Sequence, residues 1–107
     1  MSLKNIYKGY NQAKKPGYDQ LITHTDHGTP AGEYLRRYWH PVTLSSEVTT
    51  TPLEIRILGE DLVIFKTTEN RIGLVHKHCA HRRASLVFGK PESKGIRCCY
   101  HGWLFSP

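Results

Sequence analysis

The 107-residue sequence has few cysteines and no long apolar run. It contains three cysteines, and two of them, Cys98 and Cys99, are adjacent. An odd number of cysteines argues against a disulfide framework and favours free thiols or metal ligands in a reducing compartment. No apolar stretch approaches the roughly 18–20 residues of a membrane span, and the basic start, residues 1–15, lacks the apolar core of a secretory signal. We therefore expect a cytoplasmic protein with no membrane partner.

Acidic residues are also scarce relative to basic ones. Fifteen Lys and Arg face nine Asp and Glu, so the formal net charge is +6. Such a surplus favours an acidic partner. The basic residues are scattered and no nucleic-acid-binding motif accompanies them, so we expect no nucleic-acid partner.

The chain length predicts one domain, preceded by an irregular N-terminal arm over residues 1–27. A helix is predicted from Gly28 to Trp39, because Thr29 is a suitable N-cap and Pro30 is favoured at the first helical position. Arg36 and Arg37 fall in its predicted last turn, where cations complement the helix dipole. An i, i+1, i+4, i+5 stripe is interpreted as core packing; its members are Tyr34, Leu35, Tyr38 and Trp39.

The apolar period changes to two from Leu53 onward. Apolar and polar residues alternate over Leu53–Ile57, and two further apolar runs follow at Leu62–Phe65 and Ile72–Val75. Intervening Gly59-Glu60 and Glu69-Asn70 predict turns, so this region is expected to be a three-stranded antiparallel meander. Another turn is predicted at Gly89-Lys90-Pro91. The fold class expected from these patterns is mainly β.

Two short segments carry paired Cys and His residues. Cys79-Ala80-His81 is followed, after sixteen residues, by Cys98-Cys99-Tyr100-His101, which reads C-x-H, x16, C-x-x-H. A zinc site usually draws like ligands from one segment, as in C-x2-4-C. Here each segment offers one thiol and one imidazole. That mixture favours two metal centres, with two cysteines on one iron and two histidines on the other, as in Rieske [2Fe–2S] clusters. A zinc-binding interaction module stays open as an alternative.

These segments resemble the Rieske part of ring-hydroxylating, non-haem iron oxygenases. The similarity is carried by His78–Leu86 and Cys98–Phe105, and the upstream segments Gly28–Pro41 and Leu58–Val63 resemble the phthalate dioxygenase-like branch. The resemblance extends from about Leu21 to Phe105. It implies a Rieske fold over residues 28–107: antiparallel sheets, a cluster-binding subdomain of two loops, and a short N-terminal helix.

The resemblance also implies roles for the paired residues. Cys79 and Cys98 would ligate one iron of a [2Fe–2S] cluster, and His81 and His101 the outer iron. Cys99, which does not fit the C-x-x-H spacing, is interpreted as a small buried hydrophobe. Two positions depart from the family pattern: Ala80 stands in place of the usual proline, and Arg83 in place of the usual glycine. If that position requires a positive φ, Arg83 strains the loop by about a kcal/mol or more.

Family members continue into a catalytic domain that holds a mononuclear Fe(II) in a 2-His-1-carboxylate site. We therefore expect this chain to be the N-terminal portion of a dioxygenase or monooxygenase α-subunit, or a truncated relative, with no catalytic residues of its own. The resemblance implies an electron-donating flavin or ferredoxin-type reductase, the catalytic domain as acceptor, and homo-oligomers in some members. The alternative is a free-standing Rieske ferredoxin.

High-potential Rieske proteins of respiratory complexes carry a disulfide between the two loops and a serine that hydrogen-bonds the cluster. In this sequence the disulfide positions are Ala84 and Tyr100, and Trp103 stands in place of the serine. The resemblance thus implies that the reduction potential of this protein lies at the low end of the range for Rieske proteins.

Overall fold

The computed structural model describes residues 17–107, in which two short helices precede two small antiparallel sheets. Helix α1 spans Gln20–Thr23, and the Asp19 carboxylate caps it by accepting from the Leu21 N–H at 2.9 Å. This single turn of helix lies within the arm that the sequence predicted to be irregular. Residues 1–16 of that arm lie outside the described part of the chain.

Helix α2 spans Pro30–Leu35, with Thr29 as N-cap and Pro30 at its start, as predicted. The predicted extension to Trp39 is wrong, because the helix ends at Leu35 and Arg36 is its C-cap. The Arg36 guanidinium donates to the Leu58 carbonyl at 2.7 Å and to the Glu60 carboxylate at 3.1 Å. Arg36 therefore joins the helix to a turn of the first sheet.

The interpretation of the aromatic stripe as core packing is also wrong. Tyr34 and Tyr38 are 58% and 56% exposed, and Trp39 is fully exposed. The two tyrosine rings pack on each other, with centroids 5.3 Å apart and hydroxyl oxygens 3.2 Å apart. Among residues 17–107, these three aromatic side chains are directed to solvent.

The first sheet is the predicted meander. Strands β1 (Leu53–Ile57), β2 (Glu60–Lys66) and β3 (Ile72–His76) pair antiparallel in the order β1-β2-β3. The first turn is formed by Leu58 and Gly59 rather than Gly59-Glu60, since Glu60 already pairs with Ile57. Both turn residues have positive φ, 49° and 77°, as a type I′ hairpin requires.

The second sheet is made of three two-residue strands. Strands β4 (Lys90–Pro91), β5 (Ile96–Arg97) and β6 (Leu104–Phe105) pair antiparallel in the order β4-β5-β6. The turn predicted at Gly89-Lys90-Pro91 is therefore wrong, because Lys90 and Pro91 pair with β5. Short 3-10 helices occupy Ser45–Glu47 and Leu86–Phe88.

One hydrophobic core joins the two sheets. Val63 and Phe65 of β2 pack with Ile96 of β5 and with Leu86 of the second 3-10 helix. Two cysteines, Cys79 and Cys98, belong to the same buried cluster. The core therefore continues directly into the two segments that contain the paired Cys and His residues. No helix within residues 17–107 is long and apolar enough to cross a membrane.

Candidate metal centre

Each Cys/His segment forms a closed loop next to the core. The first loop, residues 77–86, follows β3, and the second, residues 98–103, connects β5 to β6. In the first loop the Cys79 N–H donates to the Ala84 carbonyl at 2.8 Å, and the Arg83 N–H donates to the Cys79 carbonyl at 2.8 Å. These two bonds fix the backbone on both sides of Cys79.

The second loop is closed by the same pair of bonds. The Cys98 N–H donates to the Trp103 carbonyl at 2.8 Å, and the Gly102 N–H donates to the Cys98 carbonyl at 3.1 Å. In both loops the cysteine N–H donates to the carbonyl of the fifth residue after it, and the cysteine carbonyl accepts from the N–H of the fourth residue after it. The fourth residue has a positive φ in each case, 61° at Arg83 and 78° at Gly102. The two cysteines therefore have equivalent backbone surroundings.

The two thiols lie inside the protein and close to each other. Cys79 is 2% and Cys98 4% exposed, and both belong to the same buried core cluster. The backbone N–H of Tyr100 has the largest effect on the Cys98 thiol and lowers its pKa. Burial opposes this effect, and the Cys79 thiol and the His101 N–H lower the pKa further. Thiolate is the form of cysteine that binds metals. The loop thus favours the ligating form of Cys98.

The two imidazoles lie at the surface beside one another. The rings of His81 and His101 have centroids 4.7 Å apart and meet edge to face at 70°. Both residues are exposed, in contrast to the cysteines. The loops therefore present two sulfurs toward the core and two ring nitrogen donors toward solvent.

An ion pair fixes the second loop to the second sheet. Arg97, next to Cys98, makes a bidentate contact with Glu92, with both N···O distances at 2.9 Å. A third guanidinium bond goes to the Gly102 carbonyl at 2.7 Å. The hydrogen bonds between the two side chains lower the pKa of Glu92 and raise that of Arg97. Sequence reasoning missed this contact, because nothing in the local pattern links Glu92 to the loop.

The structure separates Cys98 from its neighbour Cys99. Cys99 is exposed, so its interpretation as a small buried hydrophobe is wrong. The three cysteines are free thiols. Two further histidines contact backbone carbonyls: His78, in the first loop, contacts that of Arg83 at 3.1 Å, and His40 contacts that of Leu35 at 2.7 Å.

The four residues fit a cluster that takes two protein ligands on each iron. Two buried sulfurs lie on one side and two adjacent imidazoles on the other, which is the Cys2His2 donor set of a Rieske cluster. Within residues 17–107, no group of three or more His, Cys, Asp or Glu is arranged to hold a metal ion. A Rieske iron does not require such a group, since bridging sulfides supply its other ligands.

Comparison with known proteins agrees with this arrangement. The Rieske [2Fe–2S] domain family matches residues 38–107. The α-subunit of phenoxybenzoate dioxygenase from Ectopseudomonas oleovorans is 55% identical over 92 residues, which is 85% of this chain and 22% of that protein. The oxygenase subunit of phthalate 4,5-dioxygenase from Pseudomonas putida is 43% identical over 91 residues, 82% of this chain and 21% of that protein. The chain spans about a fifth of the length of these relatives.

Solved structures show the same fold. NdmA from Pseudomonas putida CBB5 is 35% identical and superposes with a TM-score of 0.61 over 69% of this chain and 24% of that one. A reduced complex between oxygenase and ferredoxin in carbazole 1,9a-dioxygenase matches at 28% identity and a TM-score of 0.54, over 64% and 18% of the two chains. The mainly β Rieske fold and the relationship to phthalate dioxygenase-like oxygenases, both predicted from the sequence, are confirmed. The chain belongs to the Rieske [2Fe–2S] domain family.

Proposed function

We propose that this chain is the electron-transferring Rieske portion of an aromatic-ring oxygenase α-subunit. The observation that carries the proposal is the arrangement of two buried thiols beneath two adjacent, exposed imidazoles on equivalent loops. When bound, the [2Fe–2S] cluster supplies one-electron redox chemistry. In this proposal residues 1–27 are an N-terminal arm and residues 28–107 the Rieske domain.

Each ligand pair has a distinct role in the proposal. Cys79 and Cys98 hold one iron in the core, where their burial excludes water from the sulfurs. His81 and His101 hold the other iron at the surface, where both rings are accessible to a partner. The protein thus places one end of the site against its stable core and the other end where electrons enter and leave.

The proposed partners follow from charge and from the relatives. A flavin or ferredoxin-type reductase would supply the electron, and the oxygenase's catalytic domain, with its mononuclear Fe(II), would receive it. Arg82 and Arg83 follow His81 and are both exposed. Together with the net charge of +6, these two arginines favour an acidic donor. We place the protein in the cytoplasm, where its free thiols stay reduced, and propose that the assembled oxygenase is a homo-oligomer.

The adjacent cysteines offer a matched test of the site. After reconstitution with iron and sulfide, the chain is expected to bind two irons and to show a visible spectrum and a reduced-state EPR signal of mixed Cys/His ligation. Cys79→Ala, Cys98→Ala, His81→Ala and His101→Ala should each abolish this signal. The controls Cys99→Ala and His76→Ala change exposed residues and should retain it. A colourless zinc-bound protein, or loss of the cluster from Cys99→Ala but not from Cys98→Ala, would contradict the proposal.

The acidic-donor proposal has its own test. Arg82→Glu reverses an exposed charge beside His81, whereas Lys94→Glu reverses one in the β4–β5 turn. Reduction of the cluster by an acidic ferredoxin is expected to slow in Arg82→Glu, and the difference should shrink at high salt because exposed charges are screened. Equal rates for the two variants would argue against a donor that binds beside His81.

A further inference from the structure

The side chain of Trp103 stacks on the imidazole of His81. The ring centroids are 4.6 Å apart and the planes differ by 10°, which is a parallel stack. His101 meets the same imidazole at 4.7 Å and 70°, and Tyr100 packs on His101 with centroids 3.9 Å apart. His81 therefore contacts one aromatic ring through its face and another in an edge-to-face arrangement.

The backbone that carries Trp103 is firmly held. The Trp103 carbonyl accepts from the Cys98 N–H, and the preceding Gly102 carbonyl accepts from the Arg97 guanidinium at 2.7 Å. Arg97 is in turn fixed by its bidentate contact with Glu92. The indole is thus anchored to the second loop and sheet while it contacts a residue of the first loop. The Trp103–His81 stack and the His81–His101 contact therefore join the two loops at the surface.

From this geometry we propose that Trp103 is a positioning residue for His81. The indole holds the imidazole plane in one orientation and covers one face of the ring, so that the ligating nitrogen is presented in a fixed direction beside His101. The proposal rests on the cluster ligation proposed above. It assigns the tryptophan a role in the redox properties of the site rather than only in folding.

Two physical effects give the expected direction of change. The negative face of an indole favours the more positive state of a neighbouring imidazole and its metal, which is the oxidised state. Covering the ring also excludes water, which would otherwise favour the reduced state because that state bears more negative charge. Both effects lower the reduction potential, so removal of the indole should raise it.

The test uses the reconstituted 107-residue chain and three variants. Trp103→Phe keeps an aromatic face, and Trp103→Leu keeps apolar bulk without one. Trp39→Leu removes the other tryptophan, which is fully exposed and lies outside both loops. Pulsed EPR resolves the nitrogen couplings of the two coordinated histidines, and voltammetry gives the potential; neither measurement depends on oxygenase activity.

Trp103→Leu is expected to change the coupling of one nitrogen and to raise the reduction potential. Trp103→Phe should give couplings and a potential near those of the parent, and Trp39→Leu should leave both unchanged. Parent-like couplings and potential in Trp103→Leu would overturn the proposal. If Trp103→Leu loses the cluster entirely, parent-like couplings in Trp103→Phe support the proposal, and equal loss in both variants overturns it. A parent chain that assembles no cluster with two coordinated nitrogens would instead refute the proposed function itself.

Discussion

Arg83 and Gly102 occupy equivalent positions in the two loops. Each donates its backbone N–H to the carbonyl of the cysteine four residues earlier, and each has a positive φ, 61° and 78°. Glycine adopts this left-handed conformation without a Cβ penalty, whereas arginine does not. The first loop therefore carries a backbone strain that the second loop avoids.

The strain predicts that Arg83→Gly stabilises the protein. Relief of the left-handed conformation is worth about 1–2 kcal/mol, and the greater chain entropy of glycine when unfolded offsets about 0.5–1 kcal/mol of it. We expect a net gain in the free energy of unfolding, measured by denaturant titration of the reconstituted chain. Arg83→Ala is the matched control: it removes the guanidinium but keeps the Cβ, so it should not stabilise. Equal gains in both variants would assign the effect to charge.

Gly102 provides the reciprocal experiment. An added Cβ at Gly102 would meet no atom closer than 3.9 Å, the Arg97 Cδ, so a substitution there tests conformation rather than crowding. Gly102→Ala is expected to destabilise the protein by about 1–2 kcal/mol. An unchanged midpoint in the same denaturant titration would contradict the equivalence of the two loops.

The Arg97–Glu92 contact predicts a loss of cluster retention. Arg97→Met removes three guanidinium bonds, two to Glu92 and one to the Gly102 carbonyl, so the second loop should open more often. We expect faster bleaching of the cluster by a chelator. Arg56→Met is a suitable control, because it breaks the 2.8 Å ion pair with Asp61 in the β1–β2 hairpin, which belongs to the other sheet. Similar bleaching rates in the two variants would count against a specific role for Arg97.

The same ion pair predicts a pH dependence. Its hydrogen bonds from Arg97 lower the pKa of Glu92 in the folded protein below the ordinary value of 4.5. The pair therefore contributes its full stability above about pH 4.5, and loses it as the pH falls through the lowered folded-state pKa. The difference in chelator bleaching rate between the parent and Glu92→Gln should be largest near neutral pH and shrink on acidification. A difference in bleaching rate that grows in acid would contradict a stabilising role for the ionised Glu92 carboxylate.

Removal of iron is expected to destabilise the whole fold. Cys79 and Cys98 are part of the same buried cluster as Phe65, Leu86 and Ile96, so the proposed metal ligation would be coupled to core packing. Chelation should lower the thermal unfolding midpoint and broaden the transition, as monitored by circular dichroism. An apoprotein with an unchanged, sharp transition would show that the core forms independently of the metal.

The reduction potential is expected at the low end of the Rieske range, roughly −150 mV. Ala84 and Tyr100 stand at the positions where respiratory relatives have a disulfide, and Trp103 stands in place of the hydrogen-bonding serine. Fewer hydrogen bonds to the sulfurs stabilise the added electron less. Voltammetry at neutral pH measures this directly, and a value above about +100 mV would place the chain with the respiratory class.

The sequence by itself determined the features that depend on neighbouring residues. Spacing and residue type identified the two Cys/His loops, alternation identified the meander, and Thr29-Pro30 identified the start of α2, because residue spacing, pleating and capping are local properties. The expectation of strain at Arg83 also came from the sequence, and the positive φ of 61° bears out the required conformation.

Only the tertiary structure decided which surfaces are covered. Cys98 is buried and Cys99 is exposed although they are adjacent, and the aromatic stripe at Tyr34 and Trp39 is directed to solvent. The stack of Trp103 on His81 likewise joins residues from two different loops. Burial and ring contacts of this kind depend on which distant segments pack together, and no local pattern in the chain specifies that packing.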